Sequence, residues 1–148
     1  MQTNSVGHVQ KLYITVRGEP SRMHQDQLTL DHEGVVGDKF HGKGLDRSVL
    51  IAADYSYNIA KENGLSIDAG ILGENILIDY NLYHLLPGDK FTIGEVTFEI
   101  TQNCTLCKGL SSVDSKLPKL LKNDRGIFAK VLHSGSIKIG DTIHLITN

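Results

Sequence analysis

The sequence predicts a mainly β, barrel-like α+β domain. Three observations point there: short β-rich segments recur along the chain, Gly- and Asp-containing turns separate them, and only two stretches read as helix. At 148 residues the chain has the length of one ordinary domain able to bury a core. No linker, low-complexity tract or charge block invites a cut, so residues 1–148 are read as a single domain.

The elements follow in order. Val9–Arg17 is β-rich, with Leu12, Ile14 and Val16 sharing a face, and stops at the Gly18-Glu19-Pro20 turn. Leu28–Leu30 reads as a second short strand. Gly34–Leu45, with glycines at 34, 37, 42 and 44, reads as an ordered loop. Ser48–Ala53 is an almost continuous apolar run, expected to be buried on both faces. Asp54 is placed to cap a helix over Tyr55–Asn63, which Gly64 stops. Asn75–Ile78 is a short strand. Pro87-Gly88-Asp89 opens Lys90–Ile93, and Gly94-Glu95 suits a two-residue hairpin loop. Val96–Thr101 alternates, with Val96, Phe98 and Ile100 inward. A short helix fits Leu117–Lys122 with Pro118 in its first turn, and Ile127–Leu132 and Thr142–Ile146 are the last strands. Gly88-Asp89 and Gly140-Asp141 share turn chemistry without making a repeat.

Composition excludes several classes. Fifteen basic against 17 acidic residues gives a net charge of −2, which argues against non-specific nucleic-acid binding. No apolar run approaches the ~20 residues of a bilayer span, so no membrane role is expected. The N-terminal Met1–Ser5 lacks signal-peptide character. Two cysteines exclude a disulfide-stapled secreted mini-protein, and a cytoplasmic location is expected.

Four features can carry chemistry. Cys104-Thr105-Leu106-Cys107 follows a predicted strand; its thiols suit metal ligation, redox pairing or simple burial as small hydrophobes. The Gly34–Gly44 loop, with Lys39, His41 and Lys43, can cradle an anion or serve as a long turn; it lacks the P-loop pattern. Leu72-Gly73-Glu74-Asn75-Ile76 places a polar trio before an apolar strand, where Asn75 can read a heterocycle edge or cap a turn. Arg125, in Asp124–Phe128, can bind phosphate or stand in solvent. His8, His24, His32, His84 and His144 have no partner at ligand spacing, and no nucleophile elbow is present.

Their order resembles a known family. Gly37-Asp38 with His41, Arg47 leading an apolar strand, Leu72–Ile76, Gly88-Asp89, Thr101-Gln102 ahead of Cys107, and Gly135 to Gly140-Asp141 succeed one another as in MOSC domains. These are named for the C-terminal domain of molybdenum cofactor sulfurase, and the likeness, to stand-alone bacterial-type members, runs from Val9 to Leu145. It implies a closed β-barrel with a few short peripheral helices. It implies that Cys107 is the catalytic thiolate, ligating molybdenum or carrying persulfide sulfur. Asn75 falls on a pterin-contacting position; Arg47 and Ser48 fall in a segment that contacts the cofactor, and Gly126 and Phe128 in one that closes beside it. Gly73, Glu74 and Cys104 flank these positions and are expected to contact the cofactor with them, and Lys39 and His41 are expected to face the phosphate.

The implied function is binding of the molybdenum cofactor (molybdopterin), or transfer of its sulfur, with molybdopterin or a sulfur donor or acceptor protein as partner. Two alternatives stand: a reductase of N-hydroxylated compounds fed by an external electron-transfer partner, and a cofactor-free thiol redox or structural module. Pyridoxal phosphate is not expected, because the chain has no room for the desulfurase domain of full-length sulfurases.

Overall fold

In the computed structural model, which describes residues 2–16, 18, 23–104 and 114–147, seven strands close into a barrel. They are β1 (Gln2–Ile14), β5 (Val49–Ala53), β6 (Ile76–Ile78), β7 (Lys90–Ile93), β8 (Val96–Asn103), β9 (Ile127–His133) and β11 (Thr142–Thr147). Around the barrel they run β1-β11-β7-β8-β9-β5-β6 and return to β1. Every neighbouring pair is antiparallel except β5 and β6. That parallel pair needs a crossover, which α1 (Asp54–Glu62) supplies. The edge strand β2 (Met23–Gln25) pairs with Leu12–Ile14 of β1. A separate sheet joins β10 (Gly135–Lys138), β3 (Gln27–Asp31) and β4 (Gly34–Val35).

The barrel closes because its strands alternate. Val96, Phe98 and Ile100 of β8 are buried, as their spacing predicts, and Phe91 stacks on Phe98 with ring centroids 5.1 Å apart. Val49, Ile51 and Ala53 from β5 meet Ile127, Ala129 and Val131 from β9 in the same core. Leu28, Leu30, Val35 and Ile137 bring the small sheet onto that core. Outside the barrel, Ala60 of α1 packs with Leu72, and with Leu117 and Leu121 around α2 (Leu117–Leu120). The Gly94-Glu95 loop is a two-residue hairpin with φ +56° at Gly94, and a Cβ there would sit 2.5 Å from an Asp141 carboxylate oxygen.

Several boundaries differ from the sequence expectation. The first strand starts at Gln2 and ends at Ile14, not at Arg17. Its opening residues Thr3, Asn4 and Ser5 are exposed where they pair with β11, so they carry no apolar alternation to read. β2 and β10 bury almost nothing but Ile137 and are silent for the same reason. Asp54 is the first residue of α1, not its cap; Ala53 holds that position without a side-chain bond. Its charge still suits a helix N-terminus. The glycine-rich stretch holds the two residues of β4 and runs into a short 3-10 turn, Leu45–Arg47.

Candidate functional site

The alternation that fills the barrel also builds a cleft on its outer wall. Between Val49 and Ile51, which point inward, Leu50 points outward; between Ile127 and Ala129, Phe128 does the same. Leu50 and Phe128 are register partners, and with Cys104 they form a small buried apolar cluster outside the main core. This cluster is the floor of a cleft of about 440 Å³.

Loops supply the walls. Phe40, Lys43 and Gly44 come from the glycine-rich stretch, Arg47 and Ser48 from the 3-10 turn, Gly73 and Asn75 from the approach to β6, and Arg125 from the approach to β9. Lys43, Arg47 and Arg125 are the cations of this lining, which contains no Asp or Glu among the described residues. A positive cleft on a chain of net charge −2 attracts anions. The Arg47 guanidinium lies 4.9 Å from the centre of the Phe128 ring, a cation–π contact at the cleft wall. Half-buried Arg125 directs Nε and Nη2 at the Leu72 carbonyl, at 3.4 and 3.2 Å, and this fork fixes its guanidinium.

Of the residues expected at a site, Arg47, Ser48, Gly73, Asn75, Cys104 and Phe128 therefore share one cleft. Ser48 Oγ also lies within hydrogen-bond distance of the Leu45 and Ala129 carbonyls, tying the 3-10 turn to β9. The Asn75 amide works inside the wall. Its Oδ1 accepts from Leu50 N at 3.1 Å, and its Nδ2 donates to Tyr13 O and to Asp38 Oδ1, both at 3.3 Å. Glu74 is fully buried and turned toward α1: its Oε2 accepts from the Tyr57 hydroxyl at 2.7 Å and from Gly70 N at 3.1 Å. Burial, and then the charge of Glu74, pushes the Tyr57 phenol far above its ordinary range, so it stays a donor.

Glu74, which its bonds turn toward Tyr57, and Lys39, His41 and Gly126 lie off the lining. Lys39 sits 5.0 Å from the centre of the Phe40 ring, and His41 Nε2 is 2.8 Å from Asp31. Gly126 is packed behind the floor, where a Cβ would meet Leu50 at 3.0 Å and the Ile51 carbonyl at 3.1 Å. Cys107 lies outside the described residues. Phe40, Lys43 and Gly44 belong to the Gly34–Gly44 loop read from the sequence as an anion cradle. Leu50 was not legible as a site residue, and its signal was its parity, opposite to Val49 and Ile51.

Among the described residues, no group of three or more His, Cys, Asp and Glu is arranged to hold a metal ion, and no helix is long and apolar enough to cross a membrane.

Comparison with known proteins gives these features a family. The model of the MOSC domain matches residues 37–144, a span that holds every residue of the cleft. No curated protein matches the chain. Among solved structures, the YuaD protein from Bacillus subtilis is similar at 20% identity over 97% of each chain, with a TM-score of 0.83. YiiM from Escherichia coli shares 22% identity over 95% of this chain and 70% of its own, with a TM-score of 0.70. YiiM from Geobacillus stearothermophilus shares 16% identity over 99% of this chain and 76% of its own, also with a TM-score of 0.70. At these identities the likeness establishes the fold.

Proposed function

Because the chain belongs to the MOSC domain family, which is associated with the molybdenum cofactor, we propose that its cleft binds that phosphate-bearing pterin and that Cys107 holds its metal or carries its sulfur. The observation that carries this reading is the composition of the cleft. Three cations and no carboxylate suit an anionic tail, while Leu50, Phe128 and Phe40 offer apolar surface to a flat ring. A thiol, Cys104, is part of the floor, and thiolates suit soft metals. Cys107 follows Cys104 by three residues, and three extended residues span at most about 11 Å.

Each part of the chain has a task. Arg125, held by its bonds to Leu72 O, presents a fixed guanidinium to the phosphate, and Lys43 and Arg47 add charge at the mouth. The floor excludes water from the ring, which strengthens those charge interactions. The group, when bound, supplies a metal that changes oxidation state and can hold sulfur. A sulfur donor or acceptor protein is the partner this role requires, and a reducing cytoplasm is where such a thiolate persists.

The test is molybdenum and pterin content of protein purified from a host that makes the cofactor. Wild type and Cys104→Ser should carry both, and Cys107→Ser should carry neither. Equal loss in the two variants would indicate a dithiol redox pair. Wild type without molybdenum would remove the cofactor reading.

A further inference from the structure

Asp38 is buried, with 6% of its surface exposed, yet it does not line the cleft. Three donors converge on its carboxylate. Oδ1 accepts from Thr15 N at 2.7 Å and from Asn75 Nδ2 at 3.3 Å, and Oδ2 accepts from Phe40 N at 3.1 Å. The donors come from three parts of the chain: the end of β1, the entry to β6 and the glycine-rich stretch. The neighbouring backbone tightens the same junction, since Lys39 N donates to Thr15 O at 2.7 Å and Asn75 N to Leu50 O at 2.8 Å. Phe40 and Asn75 both face the cleft, and Asn75 in turn holds Leu50 of its floor. One carboxylate thus joins a wall of the cleft to its floor.

We propose that Asp38 is the positioning residue of the cleft, fixing the Phe40–Gly44 wall against the Asn75–Leu50 side so that Lys43 and Phe40 meet the ligand together. This rests on the reading of the cleft as the cofactor site. The chemistry demands a carboxylate and not its isostere. All three partners are N–H donors, so the site needs two acceptor atoms, and an asparagine offers one. An Asp38→Asn amide oxygen takes the place of Oδ1, where two donors wait. Its NH2 then faces the Phe40 N–H, and the wall is released at Phe40. Asn75→Ala cuts the other arm: it removes the acceptor of Leu50 N and leaves the Phe40 clamp in place.

The experiment combines amide hydrogen exchange with molybdenum content in full-length wild type, Asp38→Asn and Asn75→Ala, all from a cofactor-producing host. In Asp38→Asn the Phe40 amide should exchange about tenfold faster or more, the loss of one hydrogen bond to a charged acceptor. Core amides such as Phe91 and Phe98 should keep wild-type protection while molybdenum content falls several-fold. In Asn75→Ala the faster amide should be Leu50, with Phe40 unchanged. Wild-type protection of Phe40 in Asp38→Asn overturns the proposal. So does loss of protection throughout the core, which would make Asp38 a general stabiliser, and so does a released Phe40 with full molybdenum content. Wild type lacking molybdenum sinks the functional reading instead, and the Phe40 and Leu50 exchange rates still decide the clamp.

Discussion

Tyr57→Phe removes a single hydroxyl from beneath the loop that carries Gly73 and Asn75. That hydroxyl donates to Glu74 Oε2 at 2.7 Å and accepts from Gly70 N at 3.0 Å and Leu72 N at 3.3 Å. The ring is retained, so little packing is lost. Gly70 N keeps the Glu74 carboxylate as acceptor at 3.1 Å, and the principal losses are the charged bond to Glu74 and the acceptor for Leu72. A hydrogen bond to a buried charged group is worth about 1.5–3 kcal/mol and a neutral one about 1 kcal/mol, giving a loss of about 3 kcal/mol. At roughly 2.1 cal/mol/K per residue, that lowers Tm by about 10 °C in a chain of this length. Urea and thermal unfolding of the two proteins at pH 7 measure it, and an unchanged m-value shows that the same fold unfolds. The variant should also hold its ligand less well, because the Leu72 carbonyl that fixes Arg125 belongs to the loosened loop. A stability change below about 1 kcal/mol would refute the claim that this hydroxyl holds the loop.

Alkaline pH should expose this phenol and a second buried one, Tyr83, whose hydroxyl accepts from Ala53 N at 2.8 Å at the start of α1. Burial raises both the Tyr57 and the Tyr83 phenol above the ordinary tyrosine range. Their stabilisation is whole below the unfolded pKa of about 10 and is lost above it as the unfolded chain releases protons that the folded chain keeps, at about 1.4 kcal/mol per pH unit for each phenol. Tyr57→Phe and Tyr83→Phe should each flatten the fall in stability measured between pH 10 and 11.5. Arg125→Ala should weaken ligand retention about tenfold at physiological salt and Arg47→Ala less, because exposed Arg47 is screened by ions that half-buried Arg125 escapes; dialysis at two ionic strengths compares them. Gly126→Ala should lower stability by about 1–3 kcal/mol through overpacking against Leu50 and the Ile51 carbonyl, read by urea unfolding.

The barrel strands were legible wherever one face is buried. β8 shows the cleanest case: Val96, Phe98 and Ile100 alternate with Thr97, Glu99 and Thr101, and the structure follows them. β5 read as a strand buried on both faces, and all five of its residues are buried. Strands whose pairing is backbone alone left no trace. Thr3–Ser5 hydrogen-bond to β11 with their side chains in water, and the hydrophobic effect writes nothing into residues it does not bury. Barrel closure itself is a long-range property, made by β1 meeting β11 across nearly the full length of the chain. No local pattern encodes that meeting; the family resemblance, carried by the order of motifs, did.

The candidate site shows a different limit. Its polar residues stood out in the sequence because a polar trio before an apolar strand is unusual, yet the three neighbours face three tasks. Gly73 opens onto the cleft, Glu74 is buried against Tyr57, and Asn75 spends its amide on Leu50, Tyr13 and Asp38. Sequence polarity records that a group needs a partner when buried; it does not say whether the partner is protein or ligand. The same ambiguity holds for the cations. Lys39 and Lys43 lie four residues apart in one glycine-rich stretch, and only Lys43 reaches the lining, because Asp38 ties its Oδ2 to Phe40 N and its backbone carbonyl to His41 N. The turn so formed leaves Lys39 over the Phe40 ring. The turn at Asp38, made by its carboxylate and its backbone carbonyl together, thus separates the two lysines, and no reading of charge along the chain could have ranked them without that turn.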